Sequence, residues 1–286
     1  MAIRTILAAA SGGSASNGAI GLACQFAYRL NAHVEGFHVI PDRQTLYGAD
    51  GDGFATMNAA LTESLLDEAA ANAVKTRAGF DTIVKRDHLA KRNSPTLPHD
   101  GPSACWREET GYAPGLVARR ARFFDLVVLG RSGRVVDEPY TQTIEQTLAQ
   151  SGRPVLLAQA EMNDHVGSAV AVAWNGSPQS VRAVGAALPI LAAADAVTVI
   201  TVGDFKSGDD GLLEYLAWHG ITAKFRGVPV AHGRSTGALL LEAAGEAHAD
   251  ILIMGGYGHR PWREALFGGV TRDVLATSKM PLLLVH

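Results

Sequence analysis

Asp250-Ile251-Leu252-Ile253-Met254-Gly255-Gly256-Tyr257-Gly258-His259 is the stretch on which the fold turns. An acidic residue, a short continuous apolar run and a glycine pair read as a buried parallel strand ending in a tight turn. Nearly the same word stands earlier as Phe124-Asp125-Leu126-Val127-Val128-Leu129-Gly130, with Gly133 three residues on, as Gly258 follows Gly255. Farther along, Arg153-Pro154-Val155-Leu156-Leu157 answers Met280-Pro281-Leu282-Leu283-Leu284. The openings match too, Ile6-Leu7-Ala8-Ala9-Ala10-Ser11-Gly12 with Val170-Ala171-Val172-Ala173-Trp174-Asn175-Gly176. Self-similarity of this kind makes the chain two copies of one unit.

Each copy reads as β-α-β-α-β-α-β-α-β. In the second copy the strands are expected at 168–174, 196–202, 222–228, 251–254 and 282–285, and the helices near 180–193, 211–219, 236–248 and 269–277. Short apolar runs alternating with helical patterns imply two tandem open, parallel five-stranded sheets, each with helices on both faces. The copies divide as 1–161 and 162–286, joined by the polar stretch from Gln159 to Gly167. Ser11 to Asn175 spans 164 residues but Gly130 to Gly255 only 125, so the first copy holds 39 extra residues between its first and fourth strands. They are expected within 41–102, where Leu61, Leu65, Ala69 and Ala73 suggest one helix face. Gly79 argues against one unbroken helix there.

Hydrophobic residues make up 47% of the 286, enough for two cores, and the net charge of −3 gives no basic face for nucleic acid. No run reaches the roughly 20 apolar residues of a membrane span. With only Cys24 and Cys105 there is no disulfide framework, so a cytoplasmic location is expected.

In an open parallel sheet, ligands bind beyond the carboxyl ends of the strands, where the strand order reverses. In the second copy that point carries Gly255-Gly256-Tyr257-Gly258-His259-Arg260 and, with nine residues between Gly258 and Gly268, Gly268-Gly269-Val270-Thr271 at the start of a helix. Glycines let a backbone approach a ligand closely, and a helix start offers free N–H groups and partial positive charge to phosphate. Arg260, Arg263 and Arg272 add charge, and His259 lies within the loop. Gly-x4-Gly-Lys-Ser/Thr is absent, as is Gly-x-Gly-x-x-Gly after the first strand, which excludes P-loop and dinucleotide readings. The ten histidines show no zinc spacing, though His88 and His99 lie in the extra region and Cys105 just after it, where a metal is the lesser reading. His33 and His38 read as structural, Trp174 as a sheet-end aromatic within reach of a base, and no serine sits in a nucleophile elbow.

The pattern Gly-x2-Gly-x9-Gly, with Asp250 to His259 and Phe267 to Arg272 around it, resembles that of tandem bacterial universal stress proteins. The resemblance covers nearly all the chain outside 41–102. It implies a site for ATP, or for AMP or ADP, with or without Mg, built from Ala173 and Asn175 after the first strand, Val202 after the second, and Met254, Gly255, Gly258, His259, Gly268, Gly269, Val270 and Thr271. Gly269 stands where that family usually has Ser or Thr, and Asn175 where it usually has Asp. The implied role is a stress-linked, nucleotide-binding regulator with no catalytic residue and no metal ligand. A slow Mg-dependent ATPase and a carrier of a small apolar ligand or metal through the first copy are the alternatives. The first copy keeps Gly130 and Gly133 but has Thr143-Ile144 for the second glycine pair and Asp137-Glu138 in its loop, so it is expected to bind nucleotide poorly. Members of that family pair through their last strands. Here 154–158 and 281–285 are expected to pair within one molecule, with a protein partner and a further homodimer left open.

Overall fold

The computed structural model describes residues 2–47, 59–97, 99–131, 138–160, 165–203, 211–256 and 269–286. In the first copy β1 (Thr5–Ala9), α1 (Gly13–Leu30), β2 (His33–Ile40), α2 (Arg43–Tyr47), α3 (Ala59–Arg86), β3 (Ala90–Lys91), β4 (Ser103–Thr110), α4 (Ala113–Ala121), β5 (Leu126–Gly130), α5 (Glu138–Gln150) and β6 (Val155–Ala158) follow in order. The second copy runs β7 (Ala169–Ala173), α6 (Pro178–Ala192), β8 (Ala196–Val202), α7 (Leu212–Trp218), β9 (Ala223–Val228), α8 (Thr236–Glu246), β10 (Ile251–Gly255), α9 (Gly269–Thr277) and β11 (Leu282–Val285).

Among the described residues the strands form one sheet in the order β3-β4-β2-β1-β5-β6-β11-β10-β7-β8-β9. Within each copy neighbouring strands are parallel. The copies meet where β6 and β11 pair antiparallel, Leu282 opposite Leu157 and Leu284 opposite Val155, so the two expected sheets join edge to edge. Apolar residues alternate between two cores because successive side chains of a strand face opposite ways. Leu126 and Val128 of β5, with Ile251 and Ile253 of β10, pack under α1, α3, α6 and α7. Val127, Leu129, Leu252 and Met254 pack under α4, α5, α8 and α9.

The repeated aspartates close the amino-terminal end of the sheet. Asp125 Oδ2 accepts from Arg4 N at 2.9 Å, Thr5 N at 3.0 Å and Thr5 Oγ1 at 3.0 Å. Asp250 does the same for Gly167 N, Ser168 N and Ala169 N, at 2.7, 2.9 and 2.9 Å. Strand starts carry N–H groups that no partner strand satisfies, and a carboxylate is a strong acceptor for them.

The extra residues of the first copy enlarge its second helix rather than form a separate unit. α3 runs unbroken for 28 residues where α7 has 7, and the two-residue β3 adds an outer strand to what was expected as a five-stranded sheet. Gly79 does not break the helix: a Cβ there would stand 3.0 Å from Asn17 Oδ1, so the glycine permits the close crossing of α1. The expected apolar face is rotated. Leu61 is exposed, whereas Thr62, Ala73, Thr76, Phe80 and Val84 are buried. Steps of four residues overshoot a 3.6-residue turn by about 40°, so Leu61 has swung well away from Ala73's side.

Two guanidinium groups of the first copy grip helix ends of the second. Arg29 donates to Val166 O and Ala193 O, the latter the C-cap of α6. Arg131 donates to Leu275 O at 2.6 Å and to Ser278 O, at the end of α9. Helix ends leave carbonyls without intrahelical donors, and a planar cation suits them in charge and shape.

Candidate functional site

The second copy's strand order reverses between β7 and β10, whose paths lead to helices on opposite faces of the sheet. At the carboxyl ends Ala173, Val202 and Val228 lie half-buried beside buried Met254, all on the α8–α9 side. They form an apolar shelf at the carboxyl ends of the strands, on the side covered by α8 and α9. Val228 was not singled out from sequence, although its place at the end of a strand two away from Ala173 made it findable. Trp174 faces the other way, among the residues packed under α6 and α7, because it is one step along the strand from Ala173. It therefore does not join this shelf, and among the described residues its buried indole N–H has no partner.

Asn175 is exposed and makes a local turn, its Oδ1 accepting from Ser177 N at 3.2 Å. Ser177 then caps α6, its Oγ accepting from Ser180 N at 3.3 Å. With Oδ1 engaged in the turn, the amide Nδ2 is the Asn175 group left to meet a ligand acceptor. Thr201 Oγ1 donates to Trp174 O at 3.0 Å and ties the end of β7 to β8. In the first copy His38 does this from the matching position, its Nδ1 donating to Ala10 O, in line with the structural reading of that histidine.

Gly255 owes its identity to packing. A Cβ on it would stand 2.6 Å from the Gln179 carbonyl carbon and 2.7 Å from Ser180 N, in the first turn of α6. Gly130 has the same reason, because a Cβ there would overlap the Ala15 carbonyl in the first turn of α1. The first glycine of the motif thus serves both copies and survives in both.

Gly269 differs. It is exposed at the first described position of α9, and among the described residues a Cβ on it would meet nothing within 4 Å. Val270 beside it is exposed, while Thr271 is buried, with 5% of its surface accessible. The helix is held against α8 through Gly237, where a Cβ would lie 2.8 Å from Asp273 Cβ. Gly258, His259 and Gly268 lie outside the described residues.

The corresponding end of the first copy is closed by its own chain. Asn72 of α3 donates through Nδ2 to Ser11 O at 3.3 Å, and its amide occupies the space of any Cβ at Gly12, whose φ is +98°. Thr143 and Ile144, which replace the second glycine pair, are buried inside α5. That helix begins at Glu138, well before the repeat position of Gly269.

The remaining candidate chemistry is structural. His33 bonds Ser103 Oγ at 2.9 Å through Nδ1 and Cys105 Sγ at 3.3 Å through Nε2, and burial pushes its pKa down. Arg120 holds buried Glu35 through two bonds of 2.7 and 2.6 Å. Burial pushes the Cys24 thiol up to about 12, and burial with Glu35 nearby pushes Cys105 up to about 11, so neither is a ready thiolate. Among the described residues no three His, Cys, Asp or Glu side chains are grouped to hold a metal ion, and no helix is long and apolar enough to cross a membrane.

The strand order and the repeated elements define a tandem, doubly wound α/β fold. Residues 226–286 match the model of the Universal stress protein family, and the fold is that of universal stress proteins. A universal stress protein from Archaeoglobus fulgidus DSM 4304 superposes with a TM-score of 0.72 at 14% identity, covering 98% of this chain and 97% of its own. A putative universal stress protein from Pseudomonas aeruginosa UCBPP-PA14 gives 0.58 at 14% identity, covering 99% and 93%. A functionally unknown protein from Pseudomonas aeruginosa PAO1 gives 0.57 at 13% identity, covering 99% and 92%. No curated protein matches the chain.

Proposed function

We propose that the second copy, taken as 162–286, binds one adenine nucleotide, ATP or its AMP and ADP relatives, and that the protein serves as a nucleotide-responsive regulator in a stress response. The observation that carries this reading is an apolar shelf at the strand-order reversal on the side of α8 and α9, with Gly269 and Val270 exposed in the first described turn of α9. The residues fit the ligand in kind. The backbone N–H groups of Gly269, Val270 and Thr271 lie in the first turn of α9 and suit phosphate. Ala173, Val202, Val228 and Met254 suit the flat apolar face of a base, and Asn175 Nδ2 suits an acceptor on the base or ribose. Gly255 lets the end of β10 pass the first turn of α6, and Gly258, His259 and Gly268 complete the loop on the strength of the sequence pattern. Phosphate bound there would neutralise the helix start, while hydrolysis would further require a metal and a residue orienting water.

Calorimetric titration of the whole protein with ATP and Mg tests this. One site per chain is expected, weakened at least about tenfold by Gly268→Val, which removes a closely approached backbone position. No binding at millimolar ATP, two equal sites, or unchanged affinity in the variant would overturn it. Release of ADP that needs Mg and disappears in the variant would move the reading from regulator to slow ATPase.

A further inference from the structure

We infer that Arg131 of the first copy braces α9 and thereby sets the nucleotide affinity of the second copy. The inference rests on the nucleotide reading of the start of α9. Arg131 follows Gly130 at the end of β5, and its own N–H is fixed to Ala158 O at 2.7 Å. Its guanidinium crosses the β6–β11 seam to Leu275 O and Ser278 O. Gln159 Nε2 joins it, donating to Ser278 O at 3.4 Å and Met280 O at 3.3 Å. The donors thus converge on the carboxyl end of the helix whose other end is assigned to phosphate.

α9 has nine residues, about 13 Å of helix, too few to stand alone in water. Its placement depends on what grips it: α8 through Gly237 on one flank and Arg131 at the far end. Without the guanidinium, carbonyls in a half-buried crevice lose their donor and the last turn frays. The first-turn N–H groups then lose the fixed geometry that makes them a preformed phosphate site. The device runs one way only, because the position matching Arg131 in the second copy is Gly256, which has no side chain to reach α5. By linkage, nucleotide at Gly269 must in turn tighten Arg131 on α9, so the first copy registers the occupancy of the second.

The test compares wild type with Arg131→Ala, Arg131→Lys and Arg29→Ala, all full length. Arg29 also clamps a helix end across the seam, on α6, whose first turn is already capped by Ser177 and is assigned no phosphate contact. ATP titration is expected to show Arg131→Ala weaker by about five- to tenfold, Arg131→Lys by about twofold, and Arg29→Ala unchanged even if less stable. Hydrogen exchange without nucleotide is expected to quicken in 269–278 of Arg131→Ala and to stay constant in α8. Saturating ATP is expected to slow exchange in 126–131 of wild type alone. ATP affinity of Arg131→Ala within twofold of wild type, or an equal loss in Arg29→Ala, would overturn the brace. Should wild type bind no nucleotide, the reading of the site fails, and exchange in the ligand-free variants still decides whether Arg131 holds α9.

Discussion

The turn after the first strand meets opposite fates in the two copies. At Ser11-Gly12 the long α3 lays Asn72 onto the backbone, and α5 starts early enough to bury Thr143 and Ile144. At Asn175-Gly176 the short α7 leaves the asparagine exposed, and Gly269, which matches buried Ile144, is exposed in α9. Both copies keep the glycine ending the fourth strand, since both need it to pass a helix start. A shared glycine therefore says little about ligand binding. What separates the copies is how much helix covers the carboxyl end of the sheet.

The largest expected effect comes from restoring the glycine where the first copy has lost it. Ile144→Gly empties a core position and puts glycine inside a helix, which should cost about 4 kcal/mol in urea unfolding and create no second nucleotide site. A second site in that variant would break the comparison, since the sequence word alone would then suffice. Next come Gly130→Ala and Gly255→Ala, each forcing a side chain against a helix backbone and each expected to cost roughly 3 kcal/mol. If Gly255→Ala harmed nucleotide binding and left stability intact, the shared packing role would be wrong for the second copy. The smallest effect is a gain. Gly269→Ser has room for its side chain and adds a hydroxyl at the helix start, so ATP affinity should rise by about three- to tenfold with stability changed by less than about 0.5 kcal/mol. A loss of affinity in calorimetry would show that the space at Gly269 belongs to the ligand.

The repeat and its strands were legible because buried parallel strands write themselves as short apolar runs, and here the runs come twice, while the seam was expected from the family resemblance. The direction of Trp174 was also legible in principle, since alternation along β7 sets it opposite Ala173. Other features depend on what lies across space. Gly79 looks like a helix breaker until Asn17 is seen against it, and the drift of Leu61 from the core shows only once the helix axis is fixed. Asp125 and Asp250 marked the repeat without disclosing that they clamp strand starts at the end away from the site. Arg131 carried no signal of its own, since the carbonyls it binds lie more than a hundred residues along the chain.

The antiparallel seam of β6 and β11 has a further consequence. Two identical subunits joined this way would separate on dilution, and any substitution would strike both at once. Joined in one chain, the halves meet at an effective concentration fixed by the linker, on the order of millimolar, whatever the abundance of the protein. One half is thereby free to diverge from the other in sequence while the seam between them is kept.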